Sequence, residues 1–519
     1  MDDYAQLHPG AFAARTPDRP AVIMAGSGRV ITFADFEALS NQCAHLLRSL
    51  GLARGDRVSI LMENHPLYLP LAWGGMRAGL RVTAISTHLG SAEVDYILTD
   101  NDSQALLTSH AMAATAGALE AAGVPAAARL MADRQVAGFG DLDAALAAQP
   151  TTPIADQSEG VEMLYSSGTT GRPKGVKKPL SDNPFGEPAA WHRTMMKLYE
   201  VDERSIYLSP APLYHAAPLM FNIRSIRFGG TSVVMEKFDA ESALALIEKY
   251  QITHSQWVPT HFIRMLRLPD DVRARYDLSS HRVAVHAAAP CPVDVKRQMI
   301  DWWGPIIREY YAGSEGNGYC AIDSADWLAK PGSVGRALIG TLRICDDAGE
   351  VLPNGTPGTV FFEGGPVFDY HNDPDKTAES RHPKGWSTLG DIGYVDDEGY
   401  LFLTDRRAFT IISGGVNIYP QECENVLASH PQVYDAAVIG VPNAEFGEEV
   451  KAVVQAVDPA AAGADLAAAL MAHCRARLSH VKCPRSIDFV DQLPRQENGK
   501  LYKQKLRARY WTDGAALPR

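Results

Sequence analysis

Short apolar runs alternate with amphipathic stretches along two parts of this chain, and no other feature restricts the fold as strongly. Val58-Ser59-Ile60-Leu61-Met62 reads as a strand, Pro66 to Gly79 as a helix and Arg81 to Ile85 as the next strand. Further on, Ser232-Val233-Val234-Met235 reads as a strand, and Ala243, Ile247 and Tyr250 then recur at helical spacing. Ile252 to Val258, His281 to His286 and Pro305 to Tyr311 continue the strands. A helix over Pro292 to Trp303 carries its proline at the first turn, where a missing N–H costs nothing. Such alternation builds parallel βαβ units, so the expected class is α/β, with a large N-terminal domain of parallel βαβ sheets. The last three strands each run into polar or small residues: Pro259-Thr260, Ala287-Ala288-Ala289-Pro290 and Ala312-Gly313-Ser314-Glu315. Open α/β sheets bind ligands beyond the carboxyl ends of their strands, so these loops are expected to converge on one site.

The texture elsewhere differs. The Ala-rich segment from Ala111 to Ala148 carries little pattern and reads as surface helix and loop. From about Thr404 onward, helices over Glu422 to Ser429 and Ala464 to Leu478 mix with strands over Ala436 to Val441, Val450 to Val457 and Ile487 to Val490. Helix and antiparallel strands in so short a stretch suit a small α+β domain.

At 519 residues, two or more domains are expected. The formal charge of −12 argues against a nucleic-acid or anionic-membrane partner, so an anionic substrate has to meet a local cationic pocket. Seven cysteines with no Cys-x-x-Cys point to neither a zinc site nor a disulfide framework, and suit a reducing, cytoplasmic setting. The start, Met1-Asp2-Asp3-Tyr4, has no basic-then-apolar leader. The weakly polar run Leu67 to Leu80 is too short and Gly-rich for a transmembrane segment. Oligomeric state stays open.

Tyr165-Ser166-Ser167-Gly168-Thr169-Thr170-Gly171-Arg172-Pro173-Lys174-Gly175 is the segment richest in chemistry. Glycines let consecutive backbone N–H groups turn inward to cradle an anion. The hydroxyls of Ser166, Ser167, Thr169 and Thr170 add donors, and Lys174 adds a mobile charge. It cannot be a Walker loop, because Pro173 stands five residues after Gly168. A polyphosphate cradle and a solvated Ser/Thr/Gly turn are both compatible with this composition.

Four more segments come after it in order: Pro212-Leu213-Tyr214-His215, Tyr311-Ala312-Gly313-Ser314-Glu315, Ser387-Thr388-Leu389-Gly390-Asp391 and Asn498-Gly499-Lys500. With the loop at 165–175 they resemble, over nearly the full length, the AMP-forming (adenylate-forming) acyl-CoA synthetases. The resemblance implies an adenylation domain over 1–405, a mobile C-terminal domain over 406–519, and a hinge near 405–409. It implies a ligase using ATP, Mg2+ and coenzyme A: a carboxylate attacks the α-phosphate of ATP to give an acyl-adenylate and pyrophosphate, and a thiol then displaces AMP. Neither step needs a protein nucleophile, so catalysis is positioning and neutralisation of developing charge.

Residue by residue, the resemblance makes Glu315 a Mg2+ ligand and Lys500 the bridge between carboxylate and α-phosphate. His215 lines the acyl pocket and gates carboxylate entry. ATP is assigned to Ser166, Ser167, Gly168, Thr169, Thr170, Gly171 and Lys174, to Ala288, Ala289, Pro290, Tyr311, Ala312, Gly313 and Ser314, and to Asp391, Arg406 and Lys500. Tyr311 stacks on adenine, Asp391 accepts the ribose hydroxyls, and Gly414 and Gly415 help form the pantetheine tunnel. Trp257, Ala287 and Gly313 join His215 around the acyl group.

Three departures stand out. Ala408-Phe409 fills the hinge where a polar pair is usual, Lys177 to Pro188 is longer and more turn-like than usual, and Gln496 stands where Thr is common. Small residues at Ala216, Ala217, Ala287 to Ala289 and Gly313 suggest a roomy pocket and a bulky apolar acid, of fatty, aryl or steroid side-chain type. Two alternatives are an adenylating enzyme that loads a carrier protein or activates an amino acid, and a nucleotide-binding regulator without catalysis. No acidic residue stands out to meet an amino-acid ammonium, and intact Glu315, Asp391 and Lys500 speak against the regulator.

Overall fold

A computed structural model describes residues 7–121, 123–166, 173–187, 190–413, 416–443, 445–495 and 501–511. Ser167, Gly168, Thr169, Thr170, Gly171, Gly414, Gly415 and Lys500 lie outside the described residues, as do the side chains of Ser166 and Arg406.

The expected α/β architecture is present. A nine-stranded sheet runs in the order 336–339, 319–322, 307–311, 283–286, 254–257, 206–209, 231–234, 20–24, 30–32. Its six middle strands, from Ile307–Tyr311 to Pro20–Met24, are parallel. Antiparallel strands close both edges. The helices Ala216–Arg227, Ala240–Tyr250, Pro259–Leu266 and Val293–Trp303 connect the parallel strands. Ala240–Tyr250 begins at an Asp239 cap and buries Ala243 and Ile247 of the expected stripe together with Leu244 and Leu246, while Tyr250 packs half-buried against the same core.

A second, six-stranded sheet is parallel throughout, in the order 140–141, 129–132, 105–109, 57–61, 81–85, 161–162. It contains a correction: the Ala-rich stretch is not all surface. Arg129–Ala132 is a buried parallel strand, and Leu142 and Leu146 reach the core from a later helix. Alanine, small and weakly patterned, hides a strand that is buried because both sheet faces are covered.

Two sheets have no counterpart among the expected elements. Thr341–Cys345, Gly358–Glu363, Ser387–Val395 and Leu401–Arg406 form an antiparallel four-stranded sheet. A short antiparallel set joins Asp369–Tyr370, Lys174–Lys177 and Tyr165–Ser166. Beyond it, Val433–Asn443 pairs antiparallel with Gly447–Ala456, against which Ser486–Phe489 runs parallel, and the helices Pro420–Ala428 and Ala464–Arg475 cover a separate apolar cluster. Among the described residues, no helix is long and apolar enough to cross a membrane.

Three histidines are built into the nine-stranded core. One ring nitrogen of His254 bonds to the Tyr199 carbonyl (2.9 Å), His281 bonds to Ser255 (2.7 Å), and His261 stacks on Phe238 at 4.0 Å. Burial pushes their pKa values down, to about 4 for His254 and about 3 for His261 and His281. The unfolded chain takes up these protons near pH 6.5 and the folded chain does not. This contribution is therefore full above pH 6.5 and is lost as pH falls toward 4. Urea unfolding at pH 7.5 and 5.5 should show a loss of about 1 kcal/mol per histidine at the lower pH. His261→Phe should shrink that difference by one such share, and a pH-independent stability would contradict the account.

Candidate active site

The strands at the centre of the large sheet pair in parallel with Trp257 opposite His286 and His286 opposite Glu309. Their carboxyl ends therefore finish at one level, and the loops leaving them open onto a single cleft of about 2280 Å3. Val258 to Thr260, Ala288 to Pro290 and Ala312 to Glu315 all line it, as do Tyr311, Lys174, His215 and Asp391. The expected convergence of the three loops is observed.

Two assignments need correction. Trp257 is fully buried in the core, its indole N–H donating to Ser255 and its ring packed against Phe262 and Trp303, and it does not line the cleft. Ala287 is likewise buried and off the cleft wall. The reason is the two-residue period of a strand. Gln256 and Val258 face the cleft, so Trp257 between them faces away.

Glu315 is buried, and its Oε1 accepts a hydrogen bond from the Tyr370 hydroxyl at 2.9 Å. A Cβ at Gly313 would lie 2.6 Å from Glu315 Oε2 and 2.7 Å from Leu389 Cδ1, so the glycine leaves that carboxylate room. Among the described residues no group of three or more His, Cys, Asp or Glu could hold a metal by itself. One oxygen-donor carboxylate on the wall of an open cleft fits Mg2+, which takes one or two protein carboxylates and fills its remaining positions with phosphate oxygens and water.

Across the cleft wall the Tyr311 hydroxyl donates to Asp391 Oδ2 at 2.6 Å, and the Tyr311 ring stacks on Phe362 with centroids 6.2 Å apart. The tyrosine and the aspartate thus form one unit, oriented from behind by an aromatic ring. The strand backbone pairs Asp391 with Arg406. Ala288 adopts φ +76°, a strained position for a residue with a Cβ. Lys296 Nζ and Glu309 Oε2 form a buried pair at 2.6 Å, with His286 Nε2 at 3.6 Å from the same oxygen.

The described flanks of the Gly-rich segment pair with each other. Lys174 pairs with Ser166 and Gly175 with Tyr165 in antiparallel register. Tyr165 anchors this pairing through its hydroxyl, which donates to Asp100 Oδ2 (2.6 Å), and Lys174 Nζ lies 3.2 Å from Asp373. From the C-terminal part of the chain, Asp405, Ala408, Phe409, Glu424, Arg495, Leu501 and Lys503 also line the cleft. Arg495 and Leu501, which flank the segment containing Lys500, are joined by an antiparallel bridge. Neither Ser413 nor Val416, which flank Gly414 and Gly415, lines it.

The chain matches the family model for AMP-binding enzymes over residues 11–369, and that for the AMP-binding enzyme C-terminal domain over 422–500. It belongs to the AMP-binding enzyme family. A feruloyl-CoA synthase of an Amycolatopsis species is 34% identical over 486 residues, covering 93% of this chain and 94% of that protein. A long-chain-fatty-acid–CoA ligase of Mycobacterium tuberculosis is 31% identical over 488 residues, covering 92% and 93%. The solved o-succinylbenzoate–CoA synthetase of Bacillus subtilis, in complex with its acyl-adenylate intermediate, superposes with a TM-score of 0.80 at 26% identity over 96% of this chain and 97% of that one. The chain is accordingly an AMP-forming acid–thiol ligase, an enzyme class that works with ATP, Mg2+ and coenzyme A.

Sequence reasoning missed several residues of the cleft. Tyr370 carries no motif, and its role emerges only when the fold brings its strand against Lys174–Lys177. Arg224 did carry a signal: with Ala217 and Phe221 it succeeds His215 at helical spacing, and all three line the cleft.

Gly313→Ala should displace the Glu315 carboxylate, raising the Mg2+–ATP concentration needed for half-maximal pyrophosphate release severalfold and costing about 1–3 kcal/mol of stability. Gly117→Ala, where nothing lies within 4 Å, is the matched control and should change neither.

Proposed function

We propose that this enzyme activates a carboxylic acid of aryl or fatty type as its acyl-adenylate and then transfers the acyl group to coenzyme A. The observation that carries this reading is the single cleft onto which Glu315, the Tyr311–Asp391 pair and the flanks of the Lys500 segment all open. In it, Asp391 accepts the ribose hydroxyls and Tyr311 presents a ring face to adenine beside Ala288-Ala289-Pro290. Arg406 lies near the ribose and phosphates. The 165–175 segment, with Ser166 to Gly171 and Lys174, grips the departing pyrophosphate. Glu315 would hold Mg2+, which supplies charge neutralisation at the phosphate oxygens. Lys500 bridges the attacking carboxylate and the α-phosphate, so its charge acts where negative charge grows.

His215 opens the acyl pocket, whose small-residue wall is Ala216, Ala217, Ala288, Ala289 and Gly313. We take 1–405 as the adenylation domain and 406–519 as a mobile domain turning about 405–409. Adenylation precedes a rotation that withdraws Lys500 and brings Gly414 and Gly415 to the thiol channel. That Arg495 and Leu501 line the cleft while Ser413 and Val416 do not supports an adenylation-state arrangement. Seven cysteines, all as thiols, support a cytoplasmic setting, and the net charge of −12 supports small-molecule partners over nucleic acid.

A hydroxamate-trapping screen over aryl, fatty, short polar and amino acids tests the substrate class. Turnover confined to short polar acids or amino acids would overturn it. Lys500→Ala should cost about 3–4 kcal/mol in adenylation, a loss of several hundredfold. It should still convert supplied acyl-adenylate to thioester. Gly415→Trp should do the reverse, and equal loss of both half-reactions in either variant would refute the division of labour.

A further inference from the structure

The helix Pro259–Leu266 joins the cleft to the C-terminal part of the chain. At its start Pro259 and Thr260 line the cleft, and Ile263 lines it one turn later. Its inner face buries Phe262 and Met265 in the core of the large sheet, which fixes the helix in place. At its other end, about 12 Å on by the helical rise, Arg267 is the C-cap residue and does not line the cleft. Arg267 Nη2 donates to the Tyr434 carbonyl at 2.8 Å and, more weakly, to the Val433 carbonyl at 3.4 Å. The same guanidinium lies over the Tyr434 ring, 4.1 Å from its centre.

An irregularity in its strand presents Tyr434 for this contact. Val433 pairs with Ala456 and Asp435 with Gln455, so Tyr434 is an extra residue without a partner in the register. A bulge of this kind turns the extra residue away from the ladder. The next residue carries the contact onward, because Arg495 Nη2 donates to Asp435 Oδ1 at 2.7 Å. Arg495 is bridged to Leu501, and Lys500 lies between them in the chain. Asp435, Arg495 and Leu501 all line the cleft.

Resting on the ligase reading and its domain rotation, we propose that Arg267 is a positioning residue for the adenylation half-reaction. By gripping Tyr434 it holds the small domain over the cleft, and with it the Asp435–Arg495 pair and the segment of Lys500. The grip is made of charge-assisted hydrogen bonds and one cation–π contact at an exposed place, strong enough to bias an equilibrium between two arrangements and weak enough to release. A turn about 405–409 carries Tyr434 away from the helix, so this contact favours adenylation and gives nothing to thioester formation.

The experiment measures the two half-reactions separately with ferulic and decanoic acids, one of each type in the proposed reading: single-turnover pyrophosphate release without coenzyme A, and thioester formation from supplied acyl-adenylate. Arg267→Ala should slow pyrophosphate release about five- to thirtyfold while leaving thioester formation equal or faster. Arg267→Lys should recover part of that loss, and Tyr434→Ala, which keeps the carbonyl, should lose less than Arg267→Ala. The double variant Arg267→Ala/Tyr434→Ala should be no slower than Arg267→Ala, because the ring acts only through the arginine. Unchanged pyrophosphate release in Arg267→Ala, or equal slowing of both half-reactions, overturns this inference and leaves the ligase reading intact. Wild type that releases pyrophosphate with neither acid nor any other aryl or fatty acid overturns the ligase reading. The grip is then judged by trypsin cleavage after Arg406 and Arg407 under Mg2+–ATP: Arg267→Ala should be cut severalfold faster than wild type, and equal rates overturn this inference too.

Discussion

Everything at this site depends on the parallel register of three strands. Trp257, His286 and Glu309 stand side by side, so the chain leaves the sheet three times at one height. Parallel strands require a crossover between each pair, and the helices Pro259–Leu266 and Val293–Trp303 supply it. Because those helices take up the return path, the strand ends themselves stay open for a ligand. The Glu315 carboxylate, the Ala288 turn and the start of the Pro259–Leu266 helix open onto one cleft for this reason, although they are distant in sequence.

Charge is handled differently in different parts of the molecule. Several buried ions are matched: Lys296 with Glu309, Arg227 with Glu159, and Lys503 with Glu424, each within 2.6–2.9 Å. Such pairs return little net stability, since desolvation consumes most of the attraction, but they penalise any arrangement that separates the partners. Lys296–Glu309, with His286 Nε2 3.6 Å from the same carboxylate oxygen, ties the last two parallel strands to the helix between them. Lys503–Glu424 lies at the cleft edge with Phe409 beneath the lysine, 5.6 Å from the ring centre. The nonpolar Phe409 thus packs against this pair through its aromatic ring.

The central alternation of strand and helix was readable in the sequence because the apolar residues there are large and regularly spaced. Ala243 and Ile247 are buried as the helical stripe requires. The Arg129–Ala132 strand was not readable, because its two large apolar residues, Leu130 and Met131, are too short a run to mark a period among the flanking alanines. The antiparallel sheet of 341–406 was missed as well, though its strands matter to the site: they carry Asp391 and place Phe362 behind Tyr311. Trp257 shows the limit of motif reasoning. A large aromatic next to a ligand loop looked like a pocket wall, and one residue of strand parity puts it in the core.

The sequence by itself determined the class of chemistry. Five ordered segments carry the resemblance to adenylate-forming enzymes, and the family match bears that resemblance out. It also determined the parallel α/β core, since periodicity is a local property. Only the tertiary structure decided which side chains share the cleft. It joined Tyr370 to Glu315 and Tyr311 to Asp391, and turned Trp257 inward. Those outcomes depend on strand register, on pleat parity and on helices crossing between distant segments. No window of local sequence contains that information.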